Sequence, residues 1–358
     1  MFRKFGLEIH KIAKVSVIRE IAFLAIALAI SLGFGAVLIS LSKAGPIQAY
    51  EALLKGSFGS RFAISQTIVV AIPLLLIGLG TTICFRCKVW NIGGNGQLLA
   101  GGIAATAVGL HLGDLPSFVL IPLTILAGAA GGAICAGLVG FLRTKYNISE
   151  LFVSIMMNYV VYYISIYLLE EVWREASYGM PWSEFVSPLS CWPVLYPKTR
   201  IHLGLALGVV GLVYTYFMLF RSSLGYEIRA MGLNRDAAFQ QGISSTKIIL
   251  SVMVISGVMA GIAGAGQVCG FQHRFTMMIN NNYGFVAIIV ALLGRLTPIG
   301  VLFASIFIGA LNAGTVKMQA VTGVPSTIVN CLQGIILIAV IMATVLSRYR
   351  IHRKKTNE

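Results

Sequence analysis

The side chains with the most chemical potential in this sequence are neutral amides set inside apolar runs. Asn91, Asn95, Gln97, Asn158 and Gln267 each interrupt a hydrophobic stretch, and Gln66 does so less prominently. An amide at membrane depth is expensive unless another protein group or a solute satisfies it. Two readings follow, namely hydrogen bonds to a passing solute, or hydrogen bonds that stitch helices together. Asn91, Asn95 and Gln97 alternate with Gly93, Gly94 and Gly96, where bare backbone can meet a ligand or a neighbouring helix. Phe271 and Tyr159 could stack on a flat ring or simply pack.

Acidic side chains are absent from the interiors of the same runs. They contain no Asp or Glu between their first and last turns, and Glu150 and Glu170 mark the ends of one of them. A proton-driven carrier or an intramembrane enzyme would need acidic or histidine relays there. No side chain is therefore assigned as catalytic. Cys84 and Cys87 form a C-x-x-C, but a metal site wants a second pair or histidines at ligand spacing. His10, His111, His202, His273 and His352 are scattered, so no metal is expected and the cysteines read as small hydrophobes.

The elements that must position these groups are membrane spans. Of 358 residues 57% are hydrophobic and only 11% charged, too few polar side chains to cover a soluble surface. Ten apolar segments can be drawn, at 21–42, 64–85, 94–110, 118–142, 151–169, 203–220, 248–271, 283–294, 299–316 and 326–346. The expected fold is an all-α polytopic membrane protein. The third and eighth segments are too short to cross a core of roughly 30 Å comfortably, so they are expected to be broken or re-entrant and to line a cavity. Their matching places in the two halves are what an inverted repeat would leave. Gly257, Ala260, Gly261 and Gly264 recur at spacings of three and four, a smooth face for close helix packing.

The net charge of +15 could suggest nucleic acid, but the basic residues form short clusters between spans with no continuous basic face. With the N-terminus inside, 19 of the 27 Lys and Arg fall on the inner side. That asymmetry places both termini in the cytoplasm. The chain then divides into an N-terminal segment 1–20, a membrane domain 21–346 and a basic tail 347–358. Phe5, Ile9 and Ile12 among Lys4, Lys11 and Lys14 fit a short amphipathic surface helix or an ordinary basic flank equally well. The external loop 170–202 carries Trp173, Trp182 and Trp192, which suit either a membrane-interface belt or a dock for a partner.

The internal loop 221–247 holds the most informative run. Asn234 suits an N-cap, Asp236 suits the positive start of a helix, and Gly242 suits its stop. Asp236, Ala237 and Ala238 followed by Gly242 thus read as a short helix with a small, nearly flat face for another subunit.

These residues resemble the coupling motif of ABC importer permeases, Glu-Ala-Ala then three residues then Gly, with Asp236 replacing the glutamate. The segments 89–98, 148–159, 256–264 and 284–295 are also similar to the branch of those permeases that handles branched-chain amino acids, simple sugars, nucleosides and riboflavin. The similarity runs over about residues 60 to 346. Asn91-Ile-Gly-x-x-Gly-Gln97 looks most like the nucleoside-type subgroup, which usually has glutamate where this chain has Asn95. The resemblance implies a transport subunit working by alternating access in a bacterial cytoplasmic membrane. It also implies a separate ATPase, a second and commonly different permease chain, and an external lipoprotein that delivers substrate. No Gly-Lys dipeptide occurs, so there is no P-loop and ATP with its Mg²⁺ is left to the partner ATPase. The implied solute is a nucleoside first, then riboflavin or a simple sugar.

Overall fold

A computed structural model describes residues 7–11, 17–42, 44–175, 180–347 and 349–353. Every apolar segment drawn above is a helix. Among the described residues there are thirteen α-helices: α1 (Val17–Leu41), α2 (Pro46–Phe58), α3 (Arg61–Arg86), α4 (Gly94–His111), α5 (Ser117–Tyr146), α6 (Glu150–Tyr167), α7 (Gly204–Arg221), α8 (Ser223–Leu233), α9 (Arg235–Gln240), α10 (Ser245–Ala265), α11 (Tyr283–Leu293), α12 (Pro298–Thr322) and α13 (Thr327–Ser347). Among the described residues seven helices are long and apolar enough to cross a membrane, with shorter apolar stretches at Met277–Leu293 and Thr327–Ala343. That number is below the ten segments drawn. α4 carries Asn95 and Gln97 in its first turn and α11 has only 11 residues, so neither makes a full apolar span.

The chain forms two compact units. The first joins residues 1–53 to 315–358. In it α1 packs along α13, and the Tyr50 hydroxyl donates to the Leu32 carbonyl at 2.6 Å. Leu7–Lys11 is a strand, β1, paired antiparallel with β4 (Tyr349–Arg353). This corrects the helical reading of the N-terminal segment over those residues, and the first helix begins only at Val17. The remaining residues of that segment lie outside the described chain.

The second unit, 54–314, is built around α3. This helix is hydrophobic on all sides and buried almost throughout, which suits a central helix. α10, α11 and α7 surround it, and α5 packs on α4 and α10. Glycine makes the closest of these approaches possible. A Cβ on Gly261 would overlap the carbonyl oxygen of Gly128, and one on Gly257 that of Gly132. The small-residue face expected on α10 therefore does pack helix to helix.

One end of this unit carries α8 and α9; the opposite end carries a cap. In the cap β2 (Trp182–Phe185) pairs with β3 (Arg274–Thr276). Trp173 and Trp192 are buried, and the Trp192 indole N–H donates to Thr124 Oγ1 at 3.2 Å. The Arg274 guanidinium lies 3.9 Å from the centre of the Trp182 ring. The loop tryptophans thus pack into the cap and do not form a belt facing lipid.

Candidate functional site

α3 runs toward the α9 end and stops at Arg86, and residues 87–93 then turn back before α4 begins at Gly94. Gly94 lies against Ile77 of α3 and the backbone of Gly284. Ile77 is roughly 14 Å along α3 from Arg86. α4 therefore starts near the middle of the bundle and runs on to the cap, where Gly109 meets Val186. α11 does the reverse. The chain enters from β3 in the cap, α11 starts at Tyr283 beside the α4 start, and it ends near Arg86, whose Nε donates to the Leu296 carbonyl at 2.8 Å. The two breaks are entered from opposite ends, the relationship an inverted repeat leaves.

Helix starts carry backbone N–H groups without intrahelical partners. Here amide side chains supply the acceptors. Asn95 Oδ1 accepts from the Gly284 N–H at 2.6 Å, at the start of α11. Asn158 Oδ1, on α6, accepts from Gly96 N–H at 2.7 Å, at the start of α4. The Asn158 amide also donates to the Ile92 carbonyl at 3.0 Å. Asn91 Oδ1 accepts from Gly93 N–H at 3.0 Å and from Gln97 Nε2 at 2.9 Å, while Asn91 Nδ2 donates to Ser256 Oγ at 3.0 Å. A Cβ on Gly284 would strike the Asn95 backbone nitrogen, so only glycine allows the two helix starts to approach this closely.

The structure thus brings Asn91, Asn95, Gln97 and Asn158 into one buried network. Their hydrogen bonds stitch the breaks together. Gln267 and Phe271 sit elsewhere, on the π-helical turn Gly266–Gln272 that continues α10 toward the cap. Gln267 is buried, and the Arg200 guanidinium lies 5.9 Å from the Phe271 ring centre. Ser154 and Ser256 join the network and were not singled out in the sequence. A serine in an apolar run is too common to stand out there. Among the described residues no Asp, Glu, Lys or Arg is buried as a whole residue, the buried charged atoms Glu175 Oε2 and Arg229 Nη1 lying in the cap and on α8, and no group of three or more His, Cys, Asp or Glu could hold a metal ion. Cys84 and Cys87 are buried, and Cys84 Sγ donates to the Val252 carbonyl at 3.3 Å.

At the other end, α9 has the bounds its sequence signals. Asn234 Oδ1 accepts from Asp236 N–H at 3.0 Å and Ala237 N–H at 3.2 Å. Gly242, at φ +82°, ends it, with Ile243 N–H returning to the Ala238 carbonyl at 3.1 Å. The expected flat face is not flat. Leu233 is 83% and Phe239 71% exposed, and Arg235, Asp236, Phe239, Gly242 and Thr246 help line a hollow of about 630 Å³. Ala238 is buried under the helix, whereas Ala237 is exposed. Phe239 has no signal of its own in the sequence, where the motif is carried by the small residues around it.

A helical bundle with two opposed half-helices meeting in its middle, and a capped surface helix at one end, defines a multi-pass membrane transport subunit. Residues 63–341 match the family described as branched-chain amino acid transport system / permease component. The chain belongs to that family, and it is the permease subunit of an ABC importer, a transport component and not an enzyme. It is similar to the guanosine ABC transporter permease protein NupP of Bacillus subtilis, 33% identical over 91% of this chain and 93% of the relative. Similar too are the glucose ABC transporter permease protein TsgB13 of Haloferax volcanii, 31% identical over 90% and 87%, and the nucleoside ABC transporter permease protein NupB of Lactococcus lactis, 29% identical over 87% and 88%. An ATPase and further components therefore complete the transporter.

Proposed function

We propose that this chain carries a nucleoside inward across a bacterial cytoplasmic membrane, as one half of a permease pair. The observation that carries the choice of solute is the neutral mid-bundle network. Amides and hydroxyls are built in where a charged solute would call for an opposite charge, and the buried polar residues there, Asn91, Asn95, Gln97, Ser154, Asn158 and Ser256, are all neutral. A nucleoside is neutral and rich in hydrogen-bonding groups. Similarity to NupP and NupB over most of the chain supports the same reading. A simple sugar is the second reading, favoured by the similarity to TsgB13. Riboflavin has no counterpart among these three relatives.

In this reading α9 is the coupling helix. Asn234 fixes its start, Asp236 complements its dipole and Gly242 its stop. The exposed Leu233 and Phe239 and the hollow beside them would receive the ATPase on the cytoplasmic side, with both termini on that side as well. The partner ATPase binds ATP and Mg²⁺, and its closure moves α9. The half-helix α4 is tied to α6 through Asn158, to α10 through Asn91 and to α11 through Asn95, so a push on one helix reaches the breaks. An external lipoprotein delivers the solute. Asn91, Asn95, Gln97 and Asn158 hold the walls of the path from within the bundle; Gln267 and Phe271 lie nearer its external mouth.

The test is competition. The assembled transporter in vesicles, supplied with its binding protein, takes up labelled guanosine. Excess unlabelled nucleosides should block this uptake and glucose or riboflavin should not; block by glucose alone would shift the assignment to sugar.

A further inference from the structure

α6 presents two contrasting faces. Ser154, Asn158, Val161, Ser165 and Leu169 are buried against the bundle. Phe152, Met156, Tyr159, Tyr163 and Tyr167 are 58–67% exposed and share an arc of about 80° on the opposite side. Tyr162 flanks the stripe, its ring centre 5.5 Å from that of Tyr163 in an edge-on arrangement.

Lipid does not suit this face. The α6 span runs Glu150–Val172, which places Tyr159, Tyr162 and Tyr163 within about 3 Å of its midpoint along the axis. Membrane tyrosines concentrate at the two interfaces, where water reaches the hydroxyl. A phenol left without a hydrogen bond in hydrocarbon is penalised, and none of these hydroxyls has a partner among the described residues. α5 shows the contrast. Over Phe118–Phe141 its large exposed side chains, Phe118, Val119, Leu126, Ile134, Leu138 and Phe141, carry no hydrogen-bonding group.

We propose that the Tyr159–Tyr163 face of α6 is this chain's wall of a water-filled translocation cavity, where the rings stack on a heterocyclic base and the hydroxyls bond the solute's polar edge. The inference rests on the nucleoside reading above for its ligand class. Hydrogen-bond complementarity selects the occupant, since a nucleoside offers a flat π-face together with donors and acceptors. The position of the wall is fixed by the residue next to Tyr159. Asn158 caps the start of α4, so this face cannot rotate without disturbing the break.

The experiment uses the assembled transporter in membranes, with Cys191 and Cys331, the two cysteines that are not buried, replaced by serine. Tyr163→Cys and, on the hydrocarbon face of α5, Ile134→Cys are exposed to a charged, membrane-impermeant methanethiosulfonate. The expected result is that Tyr163→Cys labels at least roughly tenfold faster than Ile134→Cys and that guanosine slows it. In the unmodified background Tyr163→Leu should raise the half-saturating nucleoside concentration roughly tenfold, while Tyr163→Phe should raise it less. If Tyr163→Cys is as unreactive as Ile134→Cys in a transporter that still takes up nucleoside with ATP, the cavity wall is refuted and the permease reading stands. Labelling that guanosine does not slow refutes the stacking role. Loss of all ATP-dependent uptake in the cysteine-replaced parent is resolved by the two tyrosine variants in the unmodified chain, where equal half-saturation for Leu and wild type also refutes it.

Discussion

The Gly284 backbone N–H donates to Asn95 Oδ1 at 2.6 Å, joining two helix starts that lie 189 residues apart in the chain. Removing this acceptor leaves a buried donor unpaired, at about 1–3 kcal/mol. Asn95→Leu should therefore lower the stability of the transporter by that order, read as thermal unfolding in detergent. Asn95→Asp keeps an acceptor beside two positive helix ends and should lose less. Equal losses for the two variants would show that the hydrogen bond is not what matters.

Gly242 stands at φ +82° with open space around it. Arginine there strains the backbone by about 1–2 kcal/mol and projects a charge into the face proposed to meet the ATPase. Gly242→Arg should leave the chain inserted in the membrane while uptake falls at least roughly tenfold, equivalent to about 1.4 kcal/mol. Co-purification of the ATPase, compared with wild type, distinguishes release from uncoupling.

Gly261 is pressed between α4 and α5, and any Cβ on it would overlap backbone atoms of Gly128. Backbone cannot yield as a flexible side chain can, so Gly261→Leu should abolish recovery of folded protein. Gly33 of α1 has nothing within 4 Å of its would-be Cβ, and Gly33→Ala should be recovered normally. Size-exclusion profiles of the two variants provide the comparison.

These cases mark how far the sequence could be read. All ten apolar segments are helices, because hydrophobic length survives any tertiary context. The bounds of α9 were visible too, since Asn234 and Gly242 act on their own neighbours. α2 was missed because Gln48, Glu51 and Lys55 interrupt its apolar residues. The caps that Asn95 and Asn158 provide were invisible because their partners are 189 and 62 residues away. Asn95, Asn91, Gln97 and Asn158 stood out as unusual, but only the fold shows that much of their hydrogen-bonding capacity is spent inside the chain. The N-terminal strand was read as a helix or a flank because its pairing with β4 joins opposite ends of the chain.

His202 lies in the loop before α7 and is 1% exposed. Its Nδ1 accepts from Gly204 N–H at 3.1 Å, and its Nε2 has no partner among the described residues. Burial, reinforced by the nearby His273, pushes its pKa down from 6.5 to about 4. The folded protein therefore binds fewer protons than the unfolded chain between these values, so stability should fall as pH drops from about 6.5 toward 4. His202→Gln should flatten that part of the profile. An unchanged slope of unfolding temperature against pH would assign the effect to other groups.

The central claim is that this chain is the passive half of an ATP-driven nucleoside importer. The direct measurement is guanosine uptake into proteoliposomes holding this chain, its partner permease and the ATPase, with the binding protein outside and ATP sealed within. Uptake should require ATP and stop when the ATPase is inactivated, while persisting after the ion gradients are collapsed. Uptake that survives without ATP and disappears with the gradients would contradict the account.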